Sequence, residues 1–348
     1  MARNIKLLDA TLRDGGQGLE DSFKNNDTTK YFTSAVTTKI IDFLGDSNID
    51  IIELGAIGLS DNDKSQFAIY QNIESLSRTL PEVRKKDTMY VGLYIGPDTP
   101  LDDIPAWNPS LVEGVRVILR YSELQKSLDY CAALVQKGFK VFVQPMLTMR
   151  YTDDELDLII NASNGMGAYA LYFVDSYGYM QNKDIKRLFE YYDKKLNKSI
   201  KIGFHAHNNM NLAYSNVLYF LDLPTEREFI VDSCVTGMGQ GAGNLQTELI
   251  IPYLIEKHGK QYDLDAILDI CDILDRSMIA NNLWGYSVTR LLPAIYKTAY
   301  KYSLMLRSKY NLSFREINYI LKNMPNDFRD RYTNLNLEKL VGELCGHS

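Results

Sequence analysis

KIGFHAHNN, residues 201–209, is the stretch whose reading decides the fold. It is a short run of strand-forming residues in which His205 and His207 stand near the end and Asn208 and Asn209 follow at once. Side chains two apart on a strand point to the same side, so both imidazoles can face one spot. In a parallel barrel the reactive groups gather at the carboxyl ends of the strands and in the loops beyond them. Two of the four histidines in the chain are spent here.

Working outward, seven further runs have the same character: Ile5–Ala10, Ile49–Ala56, Met89–Ile95, Val115–Arg120, Lys140–Met146, Ala170–Asp175 and Phe229–Thr236. Most are continuously apolar, as strands covered on both faces are. Amphipathic stretches such as Tyr31–Leu44, Ser122–Gln136, Asp153–Asn164 and Lys183–Lys195 alternate with them. Eight strand–helix units in this order predict an α/β fold, a closed (β/α)8 TIM barrel in preference to an open doubly wound sheet. Beyond Asp263 the pattern is wholly helical, with candidates at Leu264–Ile279, Val288–Lys309, Phe314–Lys322 and Leu337–Leu344. The expected division is a catalytic barrel over residues 1–260 and a C-terminal all-helical extension over 261–348.

Composition narrows the function. The chain has 348 residues, 45% apolar and 24% charged, with a net charge of −6 that offers no basic footprint for nucleic acid or an anionic membrane. No run approaches the roughly 18 apolar residues of a membrane helix, and the residues up to Leu8 lack the apolar core of a signal peptide. Cys131, Cys234, Cys271 and Cys345 lie far apart without a CxxC spacing, which speaks against structural zinc and against a disulfide framework. A cytoplasmic protein is expected.

Three polar clusters fall at strand ends. LDATLRDGGQ after the first strand carries Asp9, Thr11, Arg13, Asp14 and Gln17, reading as a carboxylate for a cation and a guanidinium for an anion beside a Gly-rich turn. GFHAHNN after the seventh supplies His205 and His207, with Asn208 and Asn209 to orient ligands or substrate. TGMGQGAGN after the eighth carries Gly237, Gly239, Gly241, Gly243 and Asn244. Such a loop can bring backbone close to a ligand and offer Asn244 to it. Asp14 with His205 and His207 makes an N,N,O set that suits manganese, magnesium, cobalt, iron(II) or zinc.

Together the three clusters resemble the DRE-TIM metallolyase superfamily, which includes the hydroxymethylglutaryl-CoA lyases, isopropylmalate and homocitrate synthases and other barrels of the pyruvate carboxyltransferase type. The resemblance covers roughly residues 1–260 through TLRDG at Thr11–Gly15, HAHN at His205–Asn208 and GMGQGAGN at Gly237–Asn244. Within it the chain is most similar to the 4-hydroxy-2-oxovalerate aldolases, through VDSYG at Val174–Gly178, VDSCVTGMGQGAGN at Val231–Asn244 and the tail around Trp284–Tyr286. The resemblance implies a lyase in which Asp14, His205 and His207 bind the metal, manganese or magnesium ahead of cobalt or zinc. It implies that Arg13 stabilises a pyruvate enolate, that Tyr286 lies near the aldehyde, and that Asn244 matches a ligand of the hydroxymethylglutaryl-CoA lyase branch. A 2-oxo acid and an aldehyde as substrates, an acylating aldehyde dehydrogenase as partner and a homodimer follow from the same likeness.

One position departs from it. The aldolases carry a catalytic His three residues after the metal-binding Asp, and here Gln17 stands there. An amide cannot take a proton at neutral pH, which leaves water activated by the cation, Tyr286, Glu20 or Asp21 as the base. The synthase branch does carry Gln, so an acyl-CoA-dependent Claisen synthase is the alternative. A barrel that kept its metal site and lost its catalysis is the third reading.

Overall fold

The computed structural model describes residues 4–26, 29–278 and 284–345. The described residues form nine strands: β1 (Ile5–Asp9), β2 (Ile51–Ile57), the two-residue β3 (Ile69–Tyr70), β4 (Met89–Tyr94), β5 (Gly114–Leu119), β6 (Lys140–Pro145), β7 (Ala170–Asp175), β8 (Lys201–Ala206) and β9 (Phe229–Ser233). Eight of them form one parallel sheet that closes on itself, because β1 pairs with β9 along Ile5↔Phe229 to Asp9↔Ser233 and with β2 at Leu8↔Ile51. The two-residue β3 lies outside the closed ring, paired with β2 at Ala56↔Ile69. Every residue of β2, β4, β7 and β9 is buried, which is why these strands read as largely apolar runs.

The expected barrel is therefore present, with helices packed around and after its strands and further helices in the tail. Following β1 come α1 (Thr11–Lys24) and α2 (Ser34–Asp46), and α3 (Ile73–Ser77) follows β3. The later crossovers use α4 (Leu124–Gln136), α5 (Asp153–Met166), α6 (Asn182–Lys195), α7 (Ala213–Asp222) and α8 (Thr247–His258). The crossover from β4 to β5 holds only the 3-10 turn Leu101–Asp103. Pro97, Pro100, Pro105 and Pro109 remove the backbone donors a helix would need there.

The Gly-rich stretch after β1 is not a turn. It is the first half of α1, and Gly15, Gly16 and Gly18 all lie within the helix. A Cβ on Gly16 would strike the Phe67 carbonyl oxygen, and one on Gly18 would come within 2.7 Å of the Gly239 carbonyl oxygen. The glycines are there for close approach, and the helix carries the first polar cluster over the barrel mouth.

The tail begins with α9 (Leu264–Ser277), whose Ile267, Ile270 and Leu274 belong to the large core shared with the barrel. The predicted end of this helix at Ile279 lies outside the described residues. A second, smaller core forms from Leu292 onward, around Tyr302, Leu306, Ile317 and Leu337. It is built from α10 (Val288–Tyr296), α11 (Tyr300–Ser308), α12 (Phe314–Asn323), α13 (Asn326–Arg329) and α14 (Asn334–Cys345). The single helix expected over Val288–Lys309 is broken: Lys297 takes φ +54° and closes α10, and the Thr298 N–H bonds back to the Pro293 carbonyl. That break turns Tyr300 and Lys301 toward the barrel mouth. Among the described residues no helix is long and apolar enough to cross a membrane.

Candidate metal centre

The carboxyl ends of β1 and β8 bring the first two clusters together. Asp14, His205 and His207 place their ligand atoms within 4.8 Å of one another. The Nε2 atoms of His205 and His207 lie 3.6 and 3.8 Å from Asp14 Oδ2. Each ring is fixed from behind. His207 Nδ1 is 2.9 Å from the Asp175 backbone carbonyl, which can only accept, so this nitrogen carries the proton and Nε2 is left bare. His205 Nδ1 sits 2.8 Å from Asp232 Oδ2, which sets the same tautomer. Outer partners of this kind orient metal-binding imidazoles.

The electrostatics keep Asp14 ionised. Burial opposes charge on Asp14, but the Arg13 guanidinium and the two imidazoles hold it well below the usual carboxylate range. Burial and the neighbouring His205 push His207 down to about 4, keeping it neutral as a ligand must be. Burial also disfavours charge on His205, and the Asp14 and Asp232 carboxylates outweigh it and raise its pKa. Asn244, from the third cluster, donates Nδ2 to Asp14 Oδ2 at 2.7 Å and to the Met238 carbonyl at 3.1 Å. Its Oδ1 is buried with no hydrogen-bond partner. Two bare imidazole nitrogens, an ionised carboxylate and an unmet amide oxygen are a donor set that fits a divalent cation.

Arg13 and Gln17 flank this set on α1. Arg13 Nε bonds Glu53 at 2.8 Å, while its Nη1 lies 3.4 Å from Asp14 and donates to Gln17 Oε1 at 3.3 Å. Both line a cavity of about 430 Å3 with Asp14, His205 and His207. Asp9 and Thr11 do not line it. The Asp9 carboxylate accepts from the Thr11 N–H and the Thr247 hydroxyl at 2.9 Å each, a structural role in which burial raises its pKa to about 6. Asn208 Oδ1 accepts from the Ala213 N–H at the start of α7, and Asn209 lines the cavity with Nδ2 on the Arg290 carbonyl.

Tyr286 is not brought to the ligands. It is 55% exposed and lines a neighbouring cavity with Asp21, Trp284 and Arg290, which shares Gly241 and Tyr300 with the first. Glu20 is held by Lys64 at 2.8 Å and Lys24 at 3.0 Å. Asp21 accepts from Tyr300 Oη, Lys301 Nζ and Gln240 Nε2, all at 2.9 Å, tying the tail to α1.

Sequence reasoning missed the layer beneath. Arg116 bridges Glu53, at 2.6 Å, and Asp232, and Tyr172 Oη donates to Asp232 at 3.0 Å. Three carboxylates, Asp14, Glu53 and Asp232, thus face two guanidinium groups, a balance that a bound cation improves. The available signal was a lone charge inside an apolar strand, in IIELGAI, GVRVIL and FIVDS. The roof was missed as well: Tyr300, Lys301, Asp330, Arg331 and Tyr332 close the cavity from the tail.

A family model described as HMGL-like matches residues 116–277. The chain is 28% identical over 274 residues to the 4-hydroxy-2-oxovalerate aldolase of Carboxydothermus hydrogenoformans, covering 78% of this chain and 77% of that one. It is 24% identical over 277 residues to the oxaloacetate decarboxylase of Mycobacterium tuberculosis, again covering 78% and 77%. Among solved structures, the N-terminal domain of a Bacteroides vulgatus protein assigned as an aldolase superposes with a TM-score of 0.71. It is 23% identical and covers 88% of this chain and 98% of that domain. The DRE-TIM resemblance and the placement among lyases are borne out.

Proposed function

We propose that this chain, which carries an HMGL-like domain of the DRE-TIM type, is a divalent-metal-dependent aldolase that cleaves or forms the C3–C4 bond of a 4-hydroxy-2-oxo acid. The observation that carries this reading is the convergence of Asp14, His205 and His207, with both Nε2 atoms turned to the Asp14 carboxylate, in a cavity that Arg13 also lines. Manganese or magnesium would be held by these three residues, with Asn244 Oδ1 as a further donor. When bound, the cation supplies Lewis acidity toward the keto oxygen of the 2-oxo acid.

The protein's own groups do the rest. Arg13, locked by Glu53, offers its remaining N–H groups to the oxygen where enolate charge develops. Gln17 has its amide oxygen engaged by Arg13 and turns its NH2 to the substrate as a donor. Because an amide takes no proton, the C4 hydroxyl proton goes elsewhere. The reading assigns it to Tyr300, which lines the cavity and passes its own proton to Asp21 along a 2.9 Å hydrogen bond. The homodimer and the aldehyde dehydrogenase partner belong to the same proposal.

A second reading is favoured by Gln17 and by the oxaloacetate decarboxylase relative. Loss of CO2 from a 2-oxo diacid forms the same enolate and needs no base for an alcohol. The test is release of pyruvate by chelated and manganese-reloaded protein from a panel of 4-hydroxy-2-oxo acids and oxaloacetate, with acyl-CoA thiol release followed alongside. Metal-dependent cleavage of the hydroxy acids is expected, together with a loss of about a hundredfold or more on Asp14→Asn. Near wild-type turnover in that variant would sink the site. Silence in the wild type with activity in Gln17→His would mean that the scaffold is aldolase-like and its native reaction another.

A further inference from the structure

The cavity holds polar atoms that the enolate chemistry does not use. Gln144, next to last in β6 and 4% exposed, has Nε2 buried with no hydrogen-bond partner. Asp330, just past α13, accepts from Arg150 at Oδ2 over 2.7 Å, yet its Oδ1 is buried and also unpartnered. Both residues line the same cavity as the three metal-site residues, one from the barrel and one from the roof, and the exposed Arg331 lines it beside them. Leu93, Ile95, Ile118 and Val174 make up much of the remaining wall.

A buried donor or acceptor left unmet costs about 1–3 kcal/mol, and native proteins keep few of them. An unmet donor and an unmet acceptor in one ligand cavity are therefore read as waiting for a ligand. The chemistry of that ligand is restricted. An alkyl chain would leave both atoms unmet, and a carboxylate could accept from Gln144 but not donate to Asp330. A hydroxyl group does both.

We propose that the aldehyde half of the substrate is a hydroxylated carbon chain whose hydroxyl groups accept from Gln144 Nε2 and donate to Asp330 Oδ1, with the Arg331 guanidinium as a further donor. This rests on the aldolase reading and sharpens it, assigning Gln144 and Asp330 as the residues that choose the aldehyde. A site built to hydrogen-bond a substrate hydroxyl rejects the analogue lacking it far more strongly than an apolar pocket rejects a size mismatch.

The experiment runs manganese-loaded full-length chain in the addition direction, with pyruvate and either glyceraldehyde or propanal, two aldehydes of equal carbon number. The expected result is a kcat/KM for glyceraldehyde at least about tenfold above that for propanal. That ratio should fall about tenfold or more in Gln144→Met and again in Asp330→Ala. The two sites lie on different elements, so misfolding of one variant leaves the other to decide. Equal use of both aldehydes by the wild type, or a ratio that survives both substitutions, overturns the proposal. Exchange of the pyruvate methyl protons with deuterated solvent, followed by NMR without aldehyde, separates the two ways to fail. Exchange without a preference for hydroxyl groups removes this proposal alone. No exchange and no carbon–carbon bond formation remove the aldolase reading and this proposal with it.

Discussion

Two Gly-rich stretches meet at the mouth of the barrel, DGGQG at Asp14–Gly18 and GMGQGAG at Gly237–Gly243, and they use the same residue for opposite reasons. In the first, the glycines are part of α1 with none at positive φ, and what matters is the absence of a Cβ. In the second, Gly237, Gly241 and Gly243 take φ of +64°, +62° and +77°, and what matters is backbone freedom. The two surfaces touch where Gly18 faces the Gly239 carbonyl. Each delivers one residue to the site, Asp14 from the helix and Asn244 from the loop, and these two are hydrogen-bonded to each other.

The sharpest way to break this comparison is Gly243→Ala, where both reasons apply at once. A Cβ there would strike the Gly237 carbonyl oxygen and the residue would be strained at φ +77°. A loss of about 3 kcal/mol or more is expected in urea unfolding, with weaker manganese binding because Asn244 is the next residue. Wild-type stability and affinity would mean that the loop backbone is free to rearrange.

Gly16→Ala comes next and tests contact alone. Alanine in a helix gains up to about 1 kcal/mol over glycine, while overpacking costs about 1–3 kcal/mol. A net loss near 1–2 kcal/mol is expected, and a stabilised variant would show that α1 does not press on Phe67 as described. The smallest effect belongs to Gly241→Ala, where φ is +62° but the nearest atoms, on Tyr300, lie 3.5 and 3.6 Å away. Strain alone predicts about 1 kcal/mol, and a loss as large as that of Gly243→Ala would erase the distinction between freedom and contact.

The same contrast explains what could be read from the chain. The glycines of α1 were taken for a turn because composition alone does not say whether a glycine serves φ or proximity; the answer lies in Phe67 and Gly239, far away in sequence. The strands were legible because burial on both faces leaves a local mark: Ala170–Asp175 was read to the residue. Asp14, His205 and His207 were legible as a cluster because two of them share a strand end and the third follows a strand at once. Glu53, Arg116 and Asp232 were not, since each is a lone charge in its strand and the ion pairs that join the three span 63 and 116 positions. The roof was hidden by Lys297, which breaks the helix at positive φ without the glycine or asparagine that usually marks such a stop.

That break divides labour along the chain. Every proposed ligand of the cation lies at or before Asn244, while the ceiling over it is supplied by residues near 300 and 330. Asp21 on α1 holds part of that ceiling, and the Arg150–Asp330 ion pair with the Tyr177 hydroxyl on the Asp330 carbonyl holds another part. Redrawing the last sixty residues would therefore reshape the ceiling of the cavity and leave Asp14, His205 and His207 where the barrel strands hold them.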